Sequence, residues 1–116
     1  MKQGTIKAIG PQAIDQKEKM LIFFGDQATE ALREYSVIQS IPDAKDLVVK
    51  KGDTLIFGDQ SYAVTHVGPV ANQTLQTIQH VTFIFGEVPE EQLTSAIYLE
   101  PFNLPTLEVG MKVIYK

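Results

Sequence analysis

The stretch SYAVTHVGPVANQTLQTIQHVTFIF, residues 61–85, decides how the rest of the 116-residue chain is read. It opens as a strand, breaks at Gly68-Pro69, turns polar from Asn72 to Gln79, and closes as the most apolar strand of the sequence. Successive side chains of a strand point to opposite faces. Val81, Phe83 and Phe85 therefore share an all-apolar face that belongs in the core, while His80, Thr82 and Ile84 share the other. In the opening strand Tyr62, Val64 and His66 alternate with Ala63, Thr65 and Val67, a pattern that leaves the direction of His66 open. His80 is accordingly expected to be the more accessible imidazole and His66 the less accessible one.

Working outward, residues 5–9 alternate as a strand ending at the turn signal Gly10-Pro11, and residues 20–24, MLIFF, form a buried strand stopped by Gly25. Asp26 is placed to cap a short helix over 27–34, where Ala28, Ala31, Leu32 and Tyr35 fall at helical spacing. Residues 35–41 follow as a strand with Tyr35, Val37, Gln39 and Ile41 on one face. Further strands are expected at 54–57, joined by the hairpin turn Gly58-Asp59-Gln60 to the strand that opens the central stretch, at 95–99 and at 111–115. Ile22 and Leu55 join Val81, Phe83 and Phe85 in the expected core. Segments 49–56 and 107–114 echo each other, each with a glycine turn before an apolar strand, and the echo reads as shared turn chemistry, not as duplication. Many short strands and one brief helix predict an all-β fold, a small antiparallel barrel or sandwich, in a single domain over residues 1–116.

Composition narrows the chemistry. The net charge is −4 and the ten basic residues are scattered, which argues against a nucleic-acid partner. No apolar run has the length of a membrane span, and the polar start MKQGTIK lacks a signal-peptide core, so a cytoplasmic protein without direct membrane insertion is expected. The absence of cysteine excludes disulfides, thiolate catalysis and cysteine-ligated zinc. The two histidines lack metal-ligand spacing, and no phosphate-binding loop, dinucleotide fingerprint or nucleophile elbow is present, so neither metal nor cofactor is expected. Glu87, Glu90 and Glu91 read as a solvated acidic loop. Nucleophilic or proton-transfer chemistry at neutral pH then falls to His66 and His80. For each of them, a plain hydrogen-bonded sheet residue is the competing interpretation.

The order Ile6-Lys7-Ala8-Ile9-Gly10, Met20-Leu21-Ile22-Phe23-Phe24, Glu34-Tyr35, Lys51-Gly52, Phe57-Gly58, Tyr62-Ala63-Val64-Thr65-His66-Val67-Gly68, Val70-Ala71 and His80-Val81-Thr82 resembles the glucitol/sorbitol-specific IIA component of the bacterial phosphotransferase system over nearly the whole chain. The resemblance implies a cytoplasmic phosphoryl carrier that takes phosphate from the histidine phosphocarrier protein HPr and passes it to the IIB domain of a IIB-IIC membrane permease. The chain departs from that pattern at one place. The family's acceptor histidine corresponds to Gln39, and a primary amide has no nucleophilic lone pair to offer phosphorus. His80 matches a second histidine of the pattern and becomes the favoured acceptor, with Gln39 and Thr82 as ligands for the phosphoryl oxygens and His66 as a further site residue. The rival is a non-catalytic relative of the same fold that binds a partner or regulator without turnover.

Overall fold

Residues 2–116 are described by a computed structural model. Eight strands follow in chain order: β1 (Lys2–Ile9), β2 (Met20–Phe24), β3 (Val37–Ser40), β4 (Thr54–Phe57), β5 (Gln60–Val67), β6 (Val81–Ile84), β7 (Ala96–Glu100) and β8 (Lys112–Tyr115). They close into a barrel in the order β1-β3-β2-β6-β7-β5-β4-β8, so the all-β expectation holds and the barrel, not the sandwich, is the architecture. Six of the neighbouring pairs are antiparallel; β2 with β3 and β6 with β7 are parallel. Each parallel pair needs a crossover, supplied by residues 25–36 and 85–95 respectively.

Alternation puts Leu21, Phe23, Leu55, Phe57, Val81, Phe83 and Phe85 inside. Phe83 stands edge-on to Phe23 and Phe57, with ring centroids 5.1 and 5.5 Å apart, and Tyr62 meets Phe85 at 5.0 Å. Aromatic edges against faces add specific attraction to burial. Ile22 departs from expectation. The continuous apolar run hides the alternation of β2, whose interior positions are Leu21 and Phe23, and Ile22 lies half-buried on the outer side.

Two α-helices, besides one 3-10 turn at Ala44–Asp46, are present among the described residues where one helix was expected. The first, α1 (Glu30–Glu34), is shorter than the 27–34 reading, because Thr29 and not Asp26 is its cap, accepting from the Leu32 N–H. The second, α2 (Ala71–Ile78), occupies the stretch read only as polar. Ala71 and Leu75 face the core, and Asn72 clasps the Val49 backbone, accepting from its N–H at 2.8 Å and donating to its carbonyl at 3.0 Å. Gln76 adds a bond to the Leu47 carbonyl, so α2 is docked as much by side-chain amides as by apolar contact.

The echo between 49–56 and 107–114 is part of a larger repeat, and here the sequence reading is corrected. Exchanging β1 with β5, β2 with β6, β3 with β7 and β4 with β8 leaves the barrel order unchanged. The backbone bonding repeats too. Gly52 donates to Val64, which donates to Asp53; Gly110 donates to Ile6, which donates to Met111. Gly52 and Gly110 both take φ near +95° (95° and 93°), where a side chain would be strained. Gly10 bonds Ser36 before Pro11 just as Gly68 bonds Ala96 before Pro69, and both preceding strands carry a register shift, at Ile6/Ala8 and at Val64/His66. Shared turn chemistry alone does not reproduce strand order, bulges and long-range bonds together; the fold is built of two copies of one four-strand unit.

The packing around Phe83 yields a direct test. Phe83→Ala should lower unfolding free energy by about 3–5 kcal/mol in chemical denaturation, as truncation of a sealed aromatic does. A loss under about 1 kcal/mol would place this ring outside the core.

Candidate functional site

His80 lies between the end of α2 and the start of β6, and both its backbone and its ring are held. Its backbone N–H donates to the Thr74 carbonyl at 3.1 Å, and its own carbonyl accepts from the Thr74 hydroxyl at 2.8 Å. Nδ1 lies 3.0 Å from the carbonyl oxygen of Phe23. A carbonyl only accepts, so the neutral ring keeps its proton on Nδ1, and Nε2 carries the lone pair. One face of the imidazole stacks on Phe24, with centroids 4.1 Å apart and planes 18° from parallel. The side chain is half-buried, which leaves a fixed tautomer with part of its surface open.

Gln39 sits one step away in a different setting. Together with Val37 and Ile41 it faces the barrel interior, and it is 0 % exposed. Its Oε1 accepts from the Tyr115 hydroxyl at 2.8 Å, and its Nε2 donates to the Gln79 carbonyl at 3.3 Å. Gln79 in turn accepts from the Ile41 N–H through its own Oε1 at 2.7 Å. Both ends of the Gln39 amide are thus turned inward, where they bond the protein and not a surface ligand. Thr82 falls on the outer side of β6, between Ile22 and Ala96 in the ladders, but is 5 % exposed and so offers little surface to a phosphoryl oxygen.

His66 stands apart from this cluster. It is half-buried on the bulged part of β5, its Nε2 is bonded to the side-chain Oε1 of Gln92, and its ring lies 5.9 Å from that of Tyr98. The two imidazoles are therefore both half-buried, and bonding separates them: among the described residues, Nε2 is engaged in His66 and lacks a protein partner in His80. The structure joins His80 with Gln39 through Gln79 and adds Tyr115, Thr74 and Phe24, which the sequence reading did not single out.

The internal repeat gives an independent pointer to the same residues. Phe23 pairs with Val37 as Phe83 pairs with Ile97, which aligns His80 with Met20, Thr82 with Ile22, and Gln39 with Leu99. Gly58 bonds Lys112 and Lys116 bonds Thr54, which aligns Tyr115 with Phe57. At each position the other half has an apolar side chain, so these polar groups are not a requirement of the fold.

The family model for the phosphotransferase system glucitol/sorbitol-specific IIA component matches residues 1–114. The glucitol/sorbitol-specific EIIA component of Escherichia coli (strain K12) is 34% identical over 98 residues, covering 84% of this chain and 79% of that protein. The Shigella flexneri protein of the same description is 33% identical over the same length and coverage. The crystal structure of a phosphotransferase system IIA component from Enterococcus faecalis V583 superposes with a TM-score of 0.94 at 40% identity, covering 97% of this chain and 98% of that one.

Tyr115 makes the buried network sensitive to alkali. Burial pushes its phenol above the ordinary value of 10.0, against a smaller downward pull from the Gln39 bond. The unfolded phenol ionises first as pH rises. Its contribution to stability is therefore complete below pH 10 and falls by about 1.4 kcal/mol for each pH unit above it, until the folded phenol also ionises. Burial raises Tyr62 as well, so the comparison with Tyr115→Phe isolates the share of Tyr115. Denaturation midpoints measured from pH 9 to 11 should decline less steeply in Tyr115→Phe, and parallel declines would mean that Tyr115 ionises freely in the folded barrel.

Proposed function

Because the chain belongs to the glucitol/sorbitol-specific IIA component family of the phosphotransferase system, we propose that it is a cytoplasmic phosphoryl carrier whose acceptor is Nε2 of His80, charged by HPr and discharged to the IIB domain of a sugar permease. The observation that carries this reading is the Nδ1 contact with the Phe23 carbonyl, which leaves the Nε2 lone pair free. In the transfer that lone pair attacks phosphorus in line, a nitrogen–phosphorus bond forms, and the donor's ring nitrogen departs with the electron pair of the bond that breaks. Such a step depends mainly on positioning and on stabilising charge.

The ring bearing the phosphoryl group retains the Nδ1 proton and becomes formally cationic. The Phe23 carbonyl then accepts a charge-assisted bond, stronger than the neutral one, and the face of Phe24 lies where a cation is attracted. Return of the phosphoryl group to a second protein reverses the same steps. The amide at the family's acceptor position favours a second reading, a binding or regulatory relative that contacts other components of the system without turnover, and the labelling experiment separates the two.

Incubated with phosphoenolpyruvate, enzyme I and HPr, the protein should gain one phosphoryl group by intact mass. The adduct should be acid-labile and base-stable, since protonation of a phosphoramidate makes its nitrogen a leaving group. His80→Ala should abolish labelling and His66→Ala should retain it. An unlabelled wild type together with a labelled Gln39→His would establish the binding reading instead.

A further inference from the structure

We propose that Gln39 is a positioning residue for His80: its carboxamide, anchored by Tyr115 inside the barrel, clamps Gln79 and so holds the imidazole in the tautomer with a free Nε2. The proposal rests on His80 being the phosphoryl acceptor, and assigns to the amide a role other than binding phosphate.

The direction of the bonding chain is fixed by chemistry. The Gln79 carbonyl has no proton to give, so the Gln39 end that meets it at 3.3 Å must be the NH2 group. The opposite end is then the carbonyl oxygen, which accepts from Tyr115 at 2.8 Å, and burial keeps that phenol protonated as the donor. The residue so clamped is not an ordinary one. Gln79 adopts φ 55° and ψ 32°, the left-handed conformation in which many helices end, here at a cost because the residue carries a side chain. It is held twice, at its carbonyl by Gln39 and at its Oε1 by the Ile41 N–H.

His80 is the next residue, and the turn at Gln79 sets where its Cα stands relative to the Phe23 carbonyl. Loosening the turn lengthens the 3.0 Å Nδ1 contact. An imidazole released from such a contact drifts toward the tautomer protonated on Nε2, which has no lone pair there. The other half of the barrel holds the matching turn without such a clamp. Lys19 occupies the corresponding left-handed site with φ 50° and precedes Met20, while the positions matching Gln39 and Tyr115 are Leu99 and Phe57. The turn forms there with the Lys19 carbonyl accepting from the Phe85 N–H, whereas Gly25, the residue matching Phe85, bonds Ile78 and leaves the Gln79 carbonyl to the Gln39 amide.

The test uses the full chain with Gln39→Met, which keeps length and removes both polar ends, and Tyr115→Phe, which installs the residue of the other half. Long-range proton–nitrogen correlation spectra at a pH where the ring is neutral should show His80 as the Nδ1–H tautomer in the wild type and a shift toward Nε2–H in Gln39→Met. Tyr115→Phe should move the same signals in the same direction by less. The labelling rate at saturating HPr should fall about three- to tenfold in Gln39→Met, the range one net hydrogen bond supports. The tautomer of His66, which lies outside the network, should not change. Unchanged His80 spectra in both variants would overturn the proposal, and if Gln39→Met does not fold, the spectrum of Tyr115→Phe decides alone. A tautomer shift in a protein that HPr never labels would retire the carrier reading and leave the clamp standing. Labelling that persists with an unmoved tautomer would do the reverse.

Discussion

Closure of the barrel depends on two reciprocal pairs of backbone bonds, one joining β5 to the turn before β4 and the other joining β1 to the turn before β8. In each, a strand residue, Val64 or Ile6, both accepts from a glycine and donates to the residue after it. These bonds extend the ladders by which β4 and β8 join the rest of the barrel. They fix the stagger of β4 and β8 against their neighbours, and with it the inward direction of Leu55, Phe57, Val113 and Tyr115. A closed sheet also has no free edge to pair with another chain. Because Tyr115 points inward, its hydroxyl can reach Gln39 from the opposite end of the sequence, and the site inherits its geometry from the closure.

Much of this was legible from alternation alone. Val81, Phe83 and Phe85 announced their face, and the Gly58 hairpin and the strand ends, apart from the start of β1 three residues earlier at Lys2, fell within a residue or two of where turn chemistry put them. The misses have physical reasons. A run of five apolar residues, MLIFF, carries no alternation, so Ile22 could not be sorted from Leu21. Helix α2 was obscured by Asn72, Gln73, Thr74, Gln76 and Thr77, although Ala71, Leu75 and Ile78 stand at i, i+4 and i+7, the signal that would have found it. The repeat escaped notice because its halves differ most in their connections: α2 in one corresponds to a loop containing the Asp15–Met20 bridge in the other.

The site was legible only in part, for a different reason. Scarcity of titratable groups pointed to His80, but its decisive partner is a main-chain carbonyl on β2, which sequence cannot display. Gln39 was correctly grouped with Val37 and Ile41, though not with Tyr35, which is exposed at the end of α1, and one amide on an apolar face reads equally as a surface ligand or a buried link; the residue that settles its setting, Tyr115, lies 76 positions away. Comparison of the two halves supplies what single positions lack. Where one copy is apolar and the other polar, the difference marks chemistry added to a scaffold that stands without it.

The strand order has a thermodynamic consequence. The first unit's β4 lies beside β5 of the second unit, and the second unit's β8 lies beside β1 of the first, so each unit surrenders its last strand to the opposite sheet. Neither unit can bury its inner face without the strand held by the other, and Phe57 of one packs directly on Phe83 and Phe85 of the other. Partial melting of either half therefore opens both. Unfolding is then expected to be a single cooperative transition.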